Sequence, residues 1–259
     1  MSVDYLAVTE LSGDKVAQEQ VDRLYNRYYW AGRYCVGKDV LEVACGTGQG
    51  LGHLLERAKS VNAGDYSTDI LKIAQAHYGD RIALKQFDAQ DIPYPDKSMD
   101  VVILFEAIYY IHSAEKFVSE CRRILRNGGK VLIATANKDL YDFNPSPHSY
   151  KYYGVVELHD LFKKHGFSVE CFGNTPVDVL SLRQRVLRPL KKLAVKSGLV
   201  PKTADGKKFF KRLVFGRLVK MPDEIEDGMM PYMEPTKLSS IQADRKHKVI
   251  YCVATLQKD

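Results

Sequence analysis

Three glycines at alternate positions, Gly46, Gly48 and Gly50, close the stretch DVLEVACGTGQG from Asp39 to Gly50. They suit one kind of chemistry, the holding of a ligand against bare main chain. Glycine takes φ > 0 freely and lets a backbone approach a ligand closely. A helix start directly after it offers unpaired N–H groups and a partial positive charge to an anionic group. A tight strand–helix turn uses the same residues, so the companions decide between the two readings. Asp65, in NAGDYS, follows Gly48 by seventeen residues. A carboxylate there, at a strand end, accepts hydrogen bonds from ribose hydroxyls in nucleotide-binding folds. Asp88, in QFDAQDIPYPDKSMD, is placed to accept from an exocyclic amine such as that of adenine. Phe105, Glu106 and Ala107 end a further apolar run and face the same crevice.

A second group of residues suits proton transfer at an acceptor. Glu106, Tyr109, Tyr110, His112 and His148 all fall after strand-like runs, and a hydroxyl acceptor needs such a base within hydrogen-bond reach. Glu106 has an alternative role in supporting the ligand, and His112 one beside a helix cap at Ser113. His148 lies in NKDLYDFNPSPHSYKYYG, a loop whose aromatics suit stacking on a sugar or a base. Metal chemistry is not indicated. Cys35, Cys45, Cys121, Cys171 and Cys252 are scattered and form no CxxC pair or Cys/His cluster, which points to reduced thiols in a cytoplasmic protein.

The elements that must position these residues alternate. DVLEVA, VNAGD, RIALKQFD, MDVVILFEA and KVLIATAN read as strands, separated by helical GLGHLLERA, STDILKIAQAHYG and SAEKFVSECRRILRNGG. Ser67 or Thr68 suits an N-cap and Gly79 a C-terminal stop. Such alternation implies parallel βαβ units in an open, doubly wound sheet with helices on both faces. VVELHDLFKKHGFSVECFG adds a helix, a turn at Gly166 and a strand, and KHKVIYCVATLQK is a last strand expected to pair antiparallel with it. An aromatic-rich helix around Tyr28, Tyr29, Trp30 and Tyr34 precedes the first strand, part lid and part core. Residues 1–15 read as a loosely packed arm. They contain acids and no apolar secretory core, and no run approaches the roughly 20 apolar residues of a membrane span.

This order of motifs resembles the class I S-adenosylmethionine-dependent methyltransferases, in particular their type 11-like domain. EVACGTGQG resembles the family's glycine loop, GDYS its ribose-binding acid, FDAQDIPYP its adenine-side loop, and ILRNGGKVLIA its helix, glycine turn and fifth strand. The resemblance implies a seven-stranded Rossmann-like α/β sheet, mostly parallel with an antiparallel last strand, and S-adenosylmethionine as cofactor. By it, Glu42, Ala44, Gly46 and Gly48 would surround the methionine moiety, and Asp65 the ribose. Tyr66, Asp88 and Ala89 would face the adenine, and Phe105 would close over the methionine side. Ala44 departs from the glycine that many relatives carry. A nicotinamide dinucleotide fits less well, because the third glycine of G-x-G-x-x-G would fall at Leu51.

The net charge of +6 is uneven. Between Ser181 and Lys220 stand thirteen Lys/Arg against one acid, Asp205, a net +12 that leaves −6 on the rest. VLSLRQRVLRPLKKLAVKSG and KKFFKRLVFGRLVK mix apolar and basic residues at near-helical spacing. The expected organisation is a cofactor-binding domain of residues 1–173 and 246–259, with a mostly helical basic insert at 174–245 before the last strand. The insert suits several roles: packing its apolar face on the acidic body with its charges solvated, capping the substrate, contacting a membrane or lipid-linked substrate, or following nucleic-acid phosphates. The sequence resembles methyltransferases of cell-envelope polysaccharide biosynthesis more than ribosomal or DNA enzymes. By that resemblance the expected activity is methyl transfer to an O or N nucleophile of a small molecule, a sugar or glycan intermediate of that biosynthesis. An RNA methyltransferase and a non-catalytic cofactor-binding scaffold are the alternatives. The expected location is cytoplasmic, with the option of peripheral attachment to the inner face of the membrane.

Overall fold

The computed structural model describes residues 9–177 and 218–258. Five parallel strands form one half of the main sheet: β2 (Asp39–Val43), β3 (Ser60–Asp65), β4 (Ala83–Gln86), β5 (Met99–Phe105) and β6 (Leu125–Ala136). The other half holds β7 (Phe167–Pro176), β9 (Thr236–Leu238) and β10 (His247–Leu256). The strand order is β4-β3-β2-β5-β6-β10-β7-β9. The expected antiparallel partnership of the last strand is present, with Cys252 opposite Cys171 and Val249 opposite Asn174. The sheet has eight strands where seven were expected. The extra one is β9, three residues that pair antiparallel with the outer side of β7 at Cys171–Gly173.

Alternation along the strands divides the core. Leu41, Val43, Val102, Leu104, Val131, Ile133, Ile250 and Cys252 face one side, under α4 (Ala114–Ile124) and α5 (Val155–Lys164). Val40, Val101, Ile103, Phe105, Leu132, Ala134, Tyr251 and Val253 face the other, under α1 (Gln18–Cys35) and α2 (Leu51–Leu55). Side chains of a strand point alternately to the two faces, so helices on both faces require strands apolar throughout. β5 meets that demand, with six of its seven residues buried. Trp30 of α1 lies stacked 4.7 Å from Tyr251, which fixes this helix across the sheet. α3 (Thr68–Tyr78) starts where expected, with the Ser67 hydroxyl accepting from Ile70 N, and stops at Gly79 with φ +53°.

The residues flanking the basic stretch are built into the body. β8 (Leu218–Lys220) pairs antiparallel with β1 (Lys15–Ala17). Gly13 N donates to Met221 O and Met221 N to Asp14 O. Ile225 N then donates to Gln49 O in the glycine loop. Glu224 meets His77 at 2.8 Å and Arg81 at 2.9 Å, and Asp227 pairs with Arg57. The arm from Thr9 to Ala17 is therefore tied down rather than loose. Most of the expected insert, 178–217, lies outside the described residues. Of its described remainder, 174–176 belong to the end of β7, so the main sheet runs past the expected boundary at 173, and 218–245 contain two short strands and no helix. No described helix is long and apolar enough to cross a membrane.

Arg81 and His77 together outweigh burial and hold the Glu224 carboxyl below its ordinary range. A depressed carboxylate contributes stability above its unfolded value and loses it as pH falls through the folded one. Glu224→Gln should lower the urea midpoint at pH 7 by the equivalent of roughly 1 kcal/mol. The difference from the parent should close as pH drops through the carboxylate range. A gap unchanged at low pH would show that the charge is not what holds this segment.

Candidate active site

β2 and β3 end side by side, and the glycine loop leaves from β2. Ala44 has φ +54° and Gly46 φ +59°. A side chain in this conformation is strained unless it is glycine, so Ala44 is held there by its surroundings. Gly46 N donates to Asp65 Oδ2 at 3.0 Å, and Ser67 N donates to Oδ1 at 2.9 Å. One carboxylate thus joins the loop to the start of α3. Burial raises the Asp65 pKa, and the N–H bonds from Ser67, Gly46 and Tyr66 limit the rise. Gly48, φ +85°, answers a different demand. A Cβ there would stand 2.8 Å from the Tyr78 ring. The Tyr78 hydroxyl donates to Gly48 O at 2.7 Å and accepts from Gly52 N at 3.1 Å.

A cavity of about 470 Å³ opens above these strand ends. On one side it is lined by Ala44, Gly46, Asp65 and Tyr66, and by Asp88, Ala89 and Gln90 of the loop after β4. Asp88 Oδ1 accepts from Gln90 N, and Gln90 Oε1 accepts from Ser113 N, so this loop is tied to the start of α4. On the other side stand Phe105, Glu106, Tyr109, Tyr110, His112, Ser146 and Tyr150. Glu106 has φ +51°. The Tyr109 hydroxyl donates to its Oε2 at 3.2 Å. Burial, then the charge of Glu106, push the Tyr109 phenol well above its ordinary value, so it remains a donor. Tyr109 stacks on Tyr152 at 4.2 Å, and Tyr110 shares a hydrogen bond with Ser146. These contacts hold the loop after β6 rigidly against the cavity.

Three expected site residues do not line this cavity. Glu42 is 1% exposed and turned toward α1, where it accepts a 2.5 Å hydrogen bond from the Tyr28 hydroxyl. Gly48 faces Tyr78. His148, with φ +65°, is exposed on the loop, whereas its neighbours Ser146 and Tyr150 reach the cavity. Conversely, Glu10, Gln20, Arg23 and Arg27 line it unannounced. Arg27 matters most among them. Its Nε is buried without a hydrogen-bond partner, and its ion pair with Glu10 is long, 3.7 Å. Burial opposes its charge, but Glu10, then Tyr28 and Glu106, outweigh burial and hold its pKa above the ordinary guanidinium value. Gln20, Arg23 and Arg27 recur at spacings of three and four. That polar stripe, beside the buried face of Val21, Leu24, Tyr28 and Ala31, was the available signal.

The family described as a methyltransferase domain matches residues 41–133. The chain is 34% identical over 140 residues to a Mycolicibacterium smegmatis protein named "Probable S-adenosylmethionine-dependent methyltransferase", covering 52% of this chain and 54% of that one. It is 30% identical over 151 residues to an uncharacterized methyltransferase of Geobacillus thermodenitrificans, covering 51% of this chain and 70% of that one. The chain spans about half the length of the mycobacterial relatives it matches. The fold is shared with the YcgJ protein of Bacillus subtilis, at 14% identity and a TM-score of 0.57, covering 93% of this chain and 100% of that one. The chain belongs to the class I S-adenosylmethionine-dependent methyltransferases. Its site fits that cofactor: an open glycine backbone at Gly46, a strand-end carboxylate at Asp65 and an underpaired buried cation at Arg27 are all present.

Burial pushes the Glu42 carboxyl up to about 8, with the Tyr28 hydrogen bond and Arg27 only partly opposing it. A group whose folded pKa is raised contributes its stability fully below the unfolded value and loses it as pH rises to the folded one. Protein stability should therefore fall between about pH 4.5 and pH 8 by a Glu42 component of at most about 1.4 kcal/mol per pH unit. Glu42→Gln, which keeps an acceptor for Tyr28, should flatten that slope in urea titrations at pH 5 and pH 8. An unchanged slope would mean that Glu42 is ionised in the fold.

Proposed function

We propose that this chain transfers the methyl group of S-adenosylmethionine to an oxygen or nitrogen of a small-molecule acceptor, a sugar or glycan intermediate of cell-envelope polysaccharide assembly. The carrying observation is the single cavity that joins the cofactor-type strand ends to the wall of Glu106, Tyr109, Tyr110, His112 and Tyr150. Its volume suits small ligands. The exposed ring of Tyr150 and the neighbouring tyrosines offer flat apolar faces against which a sugar ring packs, with polar groups at their edges. The polysaccharide setting is supported by the sequence resemblance alone.

In this reading Asp65 would take the ribose hydroxyls and Tyr66, Asp88 and Ala89 the adenine. Arg27 would take a carboxylate, and Phe105 would close the methionine side. The cofactor supplies an electrophilic methyl on a sulfonium. The protein's task is to align the acceptor and receive its proton. Glu106 is placed for the second task. Asp65 and Asp88 are held by backbone N–H groups, whereas the hydrogen bond to Glu106 comes from an acceptor-side phenol. Tyr109 orients that carboxylate.

The test is incubation with methyl-labelled S-adenosylmethionine and fractions of source-cell extract: lipid-linked glycans, soluble metabolites, RNA and protein. Label is expected in the glycan or metabolite fractions. Label confined to RNA or protein would sink the small-molecule reading. For a hydroxyl acceptor, Glu106→Gln should cut the transfer rate by about 10²–10⁴. Its affinity for S-adenosylhomocysteine, measured by calorimetry, should stay within a few-fold of the parent.

A further inference from the structure

The loop joining β9 to β10, residues 239–246, is rigid and oddly surfaced. Asn137 follows the end of β6 and is 1% exposed. Its Nδ2 donates to the Asp244 carbonyl at 3.0 Å, the Asp244 carboxylate at 3.0 Å and the His247 carbonyl at 2.8 Å. His247 N donates to the same carboxylate at 2.9 Å. The acid of the loop is thereby turned inward. Ile241 faces outward at 85% exposure, the highest of any large apolar side chain among the described residues. Arg245 and Lys246 are exposed too, and neither makes an ion pair with a described residue. Together with Thr236, Ser239 and Gln242 they line a shallow groove of about 630 Å³.

A lone exposed isoleucine is ordinary. Beside uncompensated cations on a pinned loop it becomes informative. Val177 N donates to Lys246 O, and the chain leaves the described fold at that point. The sequence from 178 to 217 contains twelve Lys/Arg against Asp178 and Asp205. The loop therefore sits at the root of the most basic stretch of an otherwise acidic chain. Nucleic acid would use the cations, but single strands stack on aromatic faces and the loop offers only an aliphatic side chain. A folded protein partner would centre on a packed core of several anchoring side chains, and here one apolar side chain stands alone. An anionic bilayer accommodates both, with an apolar boundary under the headgroups and phosphates above it.

We propose that loop 239–246 docks this chain on an anionic membrane surface, with Ile241 at the headgroup boundary and Arg245 and Lys246 on lipid phosphates. The contact stands independently of catalysis. Only its consequence, that the acceptor is lipid-anchored and reached from the membrane side, rests on the methyl-transfer reading. Asn137 and His247 place the loop at the carboxyl edge of the sheet, the edge on which the cavity opens.

The experiment is co-sedimentation of the whole chain with vesicles of phosphatidylcholine alone, or of phosphatidylcholine and phosphatidylglycerol in equal parts. Binding is expected to the anionic vesicles and not to the neutral ones. Ile241→Asp and the pair Arg245→Glu with Lys246→Glu should each weaken it by at least about tenfold, with unchanged melting temperature. Absence of binding to anionic vesicles would overturn the proposal. So would parental affinity in both variants, or preference for a single-stranded RNA oligonucleotide over the vesicles. S-adenosylhomocysteine binding is measured in parallel. Its loss in the parent would count against the methyl-transfer reading and leave the membrane result standing.

Discussion

The Tyr78 hydroxyl bonds to Gly48 O and Gly52 N, and on that bridge the rest of the site depends. It fixes the turn from β2 into α2 from below, while Asp65 fixes it from the side through Gly46 N. Space for the ring exists only because residue 48 has no Cβ. Tyr28 fills the same role beneath Gly50, where a Cβ would stand 2.2 Å from its ring. The glycines are thus read from two directions. Gly46 leaves main chain open to the cavity, and Gly48 and Gly50 admit two aromatic rings. A loop held from both sides presents its open face without reorganising when a ligand arrives.

The same packing decides the electrostatics. Tyr28 brings its hydroxyl to Glu42, and the next residue back, Arg27, reaches the cavity. Neighbouring positions of α1 therefore serve opposite charges: Tyr28 holds the buried acid of β2, and Arg27 carries a cation to the cavity. Burial drives the acid toward its neutral form, so the charge of Arg27 is opposed by Glu10 at long range and little by Glu42. A half-buried charge is less screened than one in open water, so it acts on an anion that enters the cavity.

Much of the architecture was legible because it is written locally. The apolar runs of β2, β5 and β6, the Ser67 cap and the stop at Gly79 each announce themselves within a few residues. β9 and the β1–β8 pair did not, since three-residue strands carry no periodicity and exist through partners far away in sequence. α4 ends at Ile124 where the residue pattern ran on to the glycines, because Leu125 already pairs with Met99 of β5. Of the cofactor-side residues, Ala44, Gly46, Asp65, Tyr66, Asp88, Ala89 and Phe105 meet at one cavity. Spacing could not tell that Gly48 serves a tyrosine or that Glu42 turns away from the crevice. Both depend on the tyrosines of α1 and α3, which reach the loop only in three dimensions.

The placing of β10 between β6 and β7 has a consequence for biosynthesis. β6 and β7 are not neighbours in the sheet; β10 fills the space between them. About 70 residues separate the end of β7 from the start of β10. At translation rates of roughly 5–20 residues per second, the nascent chain waits about 4–14 s with both flanking strand edges unpaired. Ile133, Cys171 and their neighbours are exposed in that interval. A long unpaired apolar edge is a template for mispairing, so the yield of folded protein in the cell should respond to ribosome speed across residues 177–246 and to the supply of chaperones that shield such edges.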